Sequence, residues 1–241
     1  YDEINFNVGC PSSRVCSGNF GASLMNYPSK VAKCIEALKN NCNLPVTIKH
    51  RIGVDNNDSF SNLSNFVRQI SKAGAQRFTI HARKAFLKGL NPKENRNIPP
   101  LRYDIVKKLK DENPSLVIEI NGGFTDINQC IDGLKIFDGV MIGRSAYKYP
   151  LRWSEIDNKI YGDKFLSLKA SDIIFSLIPY IDNHMQKKKR SWDICKHLIN
   201  IVESIPNAKK WRNKISILSI NENLSIKKLL TLTNELKSMG Y

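Results

Sequence analysis

The sequence predicts an α/β protein, specifically the C-terminal five βα units of a (β/α)8 barrel followed by a small all-α helical domain. Three observations predict it. Short β runs at residues 4–7, 46–49, 78–81, 117–120 and 139–142 alternate with helical patterns, the rhythm of a parallel sheet. Each run leads into polar, basic or glycine-rich residues, at Cys10, Lys49, His81, Asn121 and Gly143, and the steps of 39, 32, 40 and 22 residues between them fit βα units. After about Gly162 the β runs stop and helical periodicity takes over. A barrel needs eight strands, and Tyr1 stands almost directly before the first run, so the chain is expected to be N-terminally truncated and to lack three βα units. The expected partition is residues 1–162 for the partial barrel and 163–241 for the helical domain.

The first β run continues into Asn7-Val8-Gly9-Cys10-Pro11-Ser12. A polar strand end, a glycine for backbone freedom and a cysteine held by a proline present a thiol at the mouth of a pocket. Cys10 is therefore the candidate functional thiol, although a cysteine read alone is more often a small buried residue. Cys16 is a rival that lacks the strand-end setting. A helical pattern at 31–38 follows, then the strand whose end, Lys49-His50-Arg51, sends Lys49 and Arg51 to one face and His50 to the other. A lysine aimed into a barrel is costly unless something negative awaits it. Helix 60–73 stops at Gly74.

His81 and Arg83 repeat the basic strand end one unit later. The loop 84–100, with Lys93-Glu94-Asn95-Arg96 and then Pro99-Pro100, is long for a βα connection. Such loops are binding loops or lids, and a solvated charged loop explains this one equally well. Asn121-Gly122-Gly123 and Gly143-Arg144 end the last two strands. Glycines there let backbone N–H groups approach a phosphate, and Arg144 adds a fork of donors. One Asn-Gly-Gly is more often a plain turn, but two consecutive strand ends of this kind form the usual phosphate site of a barrel.

The tail reads as helices at 173–184, 192–204, 209–217 and 226–238. Residues 187–214 hold nine Lys/Arg against two Asp/Glu, a net of +7 out of the chain's +15. Lys187-Lys188-Lys189-Arg190 and Lys209-Lys210-Trp211-Arg212 bracket a helix, and Trp192 and Trp211 are expected as core anchors. A charge run is most often a solvated face. A basic helical appendage beside a phosphate-lined pocket is also what a structured RNA would require.

Composition sets outer limits. Hydrophobic content of 41% and charged content of 24% are ordinary for a globular chain, and a pI near 9.6 favours a polyanionic partner. Six scattered cysteines without a CxxC pair indicate neither a zinc site nor a disulfide scaffold. A reducing compartment is expected, cytoplasm or an organelle matrix, with no secretion, metal or membrane span.

Taken together, EINFNVGCPS, GNFGASLM, VTIKHRIG, FTIHARKAFLKGL, NPKENRNIPPL, INGG, DGVMIGRSAY and, more loosely, KKWR span almost the whole chain. In that order they resemble the tRNA-dihydrouridine synthases, in particular the bacterial type A tRNA-dihydrouridine(20/20a) subgroup. The resemblance implies an FMN-dependent TIM barrel with a helical RNA-binding domain. It implies reduction of uridine in the tRNA D-loop, at U20/U20a, with NADPH as electron source. Cys10 then corresponds to the proton donor to C5, the hydride reaching C6 from flavin N5, while Asn7 lines the base pocket. Lys49, His81, the Asn121, Gly122 and Gly123 backbone, Gly143 and Arg144 correspond to the FMN site. Lys93 and Arg96 match loop contacts to tRNA. Lys209 and Arg212 fall where the family has paired arginines, so one fork of donors is replaced by a point charge.

That chemistry agrees with the residues. An ordinary thiol is mostly protonated at neutral pH, so a cysteine serves as general acid without tuning. An anionic reduced flavin would supply the negative charge that Lys49 calls for. Two other readings stay open from sequence: a non-catalytic tRNA-binding relative that cannot hold flavin, and a flavoenzyme acting on a free pyrimidine.

Overall fold

A computed structural model of the chain describes residues 1–164, 168–202, 205, 206 and 208–241. The chain forms two compact units, one comprising Tyr1–Phe124 and Asn128–Ile142, the other Thr125–Ile127 and Gly143–Tyr241. Among the described residues no helix is long and apolar enough to cross a membrane.

The first unit is built on five parallel strands, hydrogen-bonded in chain order: β1 Ile4–Asn7, β2 Val46–Arg51, β3 Arg77–His81, β4 Val117–Asn121 and β5 Gly139–Met141. β2 runs on past the stretch legible in the sequence, because its ladder with β3 persists to Arg51↔His81. Alternation gives the sheet two chemically distinct faces. Ile48, Phe78, Ile80, Ile118 and Ile120 point to one, where none retains any solvent exposure. Three helices pack onto that core: Pro28–Asn41 through Val31 and Ile35, Phe60–Lys72 through Leu63, Phe66, Val67 and Ile70, and Tyr103–Glu112 through Val106 and Leu109. The second of these starts on Ser59, whose hydroxyl accepts the Asn62 N–H, and ends before Gly74 at φ +110°.

The opposite face is polar and cross-linked by side chains. Asn5 donates to Thr47 at 2.8 Å, Thr79 donates to Glu119 at 2.5 Å, and Arg77 pairs with both Glu3 and Glu119. A buried isoleucine contributes roughly 2 kcal/mol and a net hydrogen bond about 1. The apolar face therefore supplies most of the stability, and the polar face is left for function.

His50 is the exception on the apolar side. It is fully buried between Phe66 and Phe78, with Nδ1 2.7 Å from the Arg51 carbonyl and no partner at Nε2. Burial pushes its pKa down to about 4; the carbonyl contact acts against this and Lys49 acts with it.

The second unit carries two short helices, Arg144–Lys148 and Ile156–Tyr161, and then Ala170–Gln186, Trp192–Ile201, Ala208–Ile220 and Ile226–Ser238. Glu203 and Ser204, the end of the helix read at 192–204, lie outside the described residues. Its core gathers Ile174, Ile181, Leu198, Trp211, Ile215, Leu229 and Leu236. Trp211 is the anchor expected of it, buried with Nε1 donating to the Leu232 carbonyl at 2.7 Å, whereas Trp192 is only half-buried. Lys187, Lys188, Lys189 and Arg190 are exposed. Lys188 closes the helix before it at φ +54°, a position that glycine fills more cheaply.

Because His50 is neutral in the fold and its ordinary value is 6.5, its contribution to stability is complete above about pH 6.5 and is lost as pH falls towards 4. Urea unfolding across that window should show His50→Leu with a pH slope shallower than wild type by up to about 1.4 kcal/mol per unit. Parallel slopes would mean that His50 is protonated in the fold.

Candidate active site at the strand ends

Cys10 sits on a loop held from several sides by main-chain bonds. Val8 N–H continues the ladder to the Lys49 carbonyl at 2.8 Å, and Ala22 N–H donates to the Cys10 carbonyl at 2.8 Å. Asn7 turns its side-chain oxygen back to accept the Gly9 N–H at 3.0 Å. Gly21, at φ +62°, lies so close that an added Cβ would stand 2.5 Å from the Cys10 carbonyl oxygen. The half-buried Cys10 thiol is thus carried by a fixed backbone outside the apolar core, and Cys16 bonds to the same loop, its sulfur 3.5 Å from the Cys10 carbonyl oxygen.

Asn7 is the register partner of Lys49, and His81 that of Asn121, so the loop and the polar strand ends share one rim of this unit. The Lys49 ammonium donates to Asn121 Oδ1 at 3.1 Å, while Asn121 Nδ2 donates to the Met141 carbonyl at 2.8 Å. β5 therefore fixes which end of the amide faces the lysine. Burial, and then the neighbouring Arg51 charge, push the Lys49 pKa down to about 8. At neutral pH it remains mainly a cation, and no carboxylate pairs with it among the described residues.

Gly122 and Gly123 follow at φ +112° and +82°. An added Cβ at Gly122 would stand 2.6 Å from His81 Cδ2, and one at Gly123 would stand 2.8 Å from the Tyr103 hydroxyl oxygen. The turn is consequently pressed against His81 and tied by the Tyr103 hydroxyl, which donates to the Gly122 carbonyl. Burial raises the Tyr103 pKa, keeping that donor protonated.

The loop at 84–100 is compact. Asn95, fully buried, accepts the Phe86 N–H at 2.7 Å and donates to the carbonyls of Phe86 and Leu90 at 2.9 and 3.0 Å. Asn91 caps the turn by accepting the N–H groups of Lys93 and Glu94, leaving Lys93 exposed and Arg96 half-buried. Arg51 reaches this loop from β2, and its pKa is pushed down to about 10, by burial first and then by Arg96 and Arg83, with the Cys10 thiol acting in the opposite sense.

Gly143, Arg144, Lys209 and Arg212 belong to the second unit. Gly143 is the exposed N-cap of Arg144–Lys148, with open space where a Cβ would stand, and Arg144 is exposed. Lys209 and Arg212 lie in the first turns of Ala208–Ile220, exposed and half-buried on either side of Trp211. Sequence reasoning missed Asn95 and the carbonyl contacts of Arg51. The only signal for either was an asparagine inside a long loop and the alternation Lys49-His50-Arg51.

A thiol, a half-buried ammonium and a packed glycine turn lie at the carboxyl-end rim of an α/β unit, the edge at which parallel α/β folds place their sites. The chain belongs to the dihydrouridine synthase family, whose model matches residues 1–236. It is 49% identical over 216 residues to a tRNA-dihydrouridine(20/20a) synthase of Synechocystis, an alignment covering 90% of this chain and 65% of that protein. Relatives of the same name from Shewanella oneidensis and Pseudomonas putida are 45% and 44% identical, each alignment covering 90% of this chain and 64% of the relative. The chain therefore spans just under two thirds of the length of these relatives.

Gly122→Ala should cost about 2–3 kcal/mol, from left-handed backbone and the clash with His81. Urea unfolding of the two proteins measures it, and a loss below about 0.5 kcal/mol would mean that the turn relaxes freely.

Proposed function

We propose that the protein to which this chain belongs reduces uridine to 5,6-dihydrouridine in the tRNA D-loop, at U20/U20a, using FMN and NADPH. The observation that carries the reading is Cys10 on its fixed loop, on the same rim as a half-buried Lys49 that an amide steers and no carboxylate neutralises. The strand order supports a partial barrel. Five parallel strands in unbroken chain order place their crossover helices on one side, which leaves the polar face to be enclosed by further strands of the same sheet. On this reading residues 1–162 are the catalytic part and 163–241 the RNA-binding part.

The residues present fit a flavin. Lys49 offers a cation to an anionic ring edge, and His81 and the Gly122-Gly123 turn form a cradle with no room for a Cβ. Gly143 and Arg144 are assigned to the cofactor phosphate on sequence resemblance alone. FMN bound there, once reduced by NADPH, would supply the hydride for C6 of the uracil ring. Asn7 is assigned to the base pocket, and the Cys10 sulfur would give its proton to C5, leaving a thiolate that solvent reprotonates. Lys93 and Arg96, and in the second unit Lys209 and Arg212, are assigned to RNA phosphates.

Cys10→Ala should keep bound flavin and NADPH oxidation while losing most dihydrouridine formation, scored by nucleoside mass spectrometry of treated tRNA. Full product in that variant would reassign the acid, and reoxidation of the flavin by free uridine as fast as by tRNA would point to a free-pyrimidine enzyme. FMN affinity should fall as pH rises through about 8, where Lys49 loses its proton. In a fluorescence titration Lys49→Met should bind more weakly and show no such inflection.

A further inference from the structure

Arg51 touches three segments that are far apart in sequence. Its Nε donates to the Gly9 carbonyl at 3.0 Å, and its Nη1 to the carbonyls of Lys84 and Asn95 at 3.0 and 2.9 Å. The residue is 2% exposed. All three acceptors are main-chain oxygens, so the guanidinium acts as a rigid spacer rather than as half of an ion pair. The Gly9 carbonyl belongs to the peptide that enters Cys10. The Asn95 carbonyl belongs to the peptide that enters Arg96, in a turn whose shape the Asn95 side chain already fixes. Gly9 also packs on β2, where an added Cβ would stand 3.4 Å from the His50 backbone and 3.6 Å from Arg51 Cγ.

We infer that Arg51 is a positioning residue: one planar fork of donors holds the cysteine loop and the 84–97 loop at a fixed separation, so that the proton donor and the RNA-facing side chains are set together. A lysine keeps the charge but has no fork with which to bridge these carbonyls. The inference rests on the proposed tRNA-reducing activity for what the two loops contact; the bridging itself does not depend on it.

The test uses the full-length protein with Arg51→Lys and Arg51→Met. Two readouts need neither flavin nor RNA: the rate at which iodoacetamide alkylates Cys10, followed by peptide mass spectrometry, and tryptic cleavage after Lys84, Lys88 or Lys93. Both variants should alkylate faster and be cut sooner than wild type. With tRNA, kcat should fall about 100-fold, as a displacement near 1 Å brings, and it should fall by more than KM changes. If Arg51→Met does not fold, Arg51→Lys decides. Wild-type alkylation and protease resistance in Arg51→Lys would show that charge alone matters and would overturn the positioning role. Loosened loops in both variants of a wild-type protein that reduces no uridine would uphold the role of Arg51 and reject the proposed activity.

Discussion

The sheet-bearing unit depends on the period of two along β2. Ile48 and His50 enter the apolar core, while Lys49 and Arg51 go to the opposite face. A slip of one residue would place two cations among Phe66, Phe78 and Ile80, at a cost no surface contact could offset. Register is thus enforced by the same alternation that assembles the rim. Stability and chemistry are written on alternate residues of one strand.

The polar face carries charge of both signs. Arg77 pairs with Glu3 and Glu119, the latter on the rung that Thr79 shares with Lys49, whereas Arg51 and His81 face each other in register at the carboxyl ends of β2 and β3. Parallel strands bring all their carboxyl ends to one edge, so the polar and basic residues that end β1 to β4 share one rim. Burial lowers the pKa of Lys49 to about 8 and that of Arg51 to about 10, which leaves both charged at neutral pH in a poorly solvated place. Arg51 meets that desolvation with carbonyl dipoles, Lys49 with a single amide.

Much of this was legible in the sequence, for definite reasons. The strands announce themselves because apolar residues recur at alternate positions in short runs that lead into polar or glycine-rich residues, and Gly74 marks a helix end, where its φ of +110° favours glycine. The facing of Lys49 and Arg51 follows from strand geometry alone. What could not be read was long-range main-chain contact. Nothing in the identity of Gly9, Lys84 or Asn95 says that their carbonyls meet at one guanidinium, because a carbonyl is common to every residue. Asn95 looked like one more polar residue in a charged loop, yet its burial makes it the centre of that loop.

Asn121 holds the Lys49 ammonium with a neutral oxygen whose orientation β5 dictates. An aspartate in the same place would bind more tightly and form an inner salt, leaving nothing for an incoming anion to discharge. The amide behaves instead like a compass needle: it aims the cation without quenching it, and the electric field at the rim stays directed at whatever arrives there.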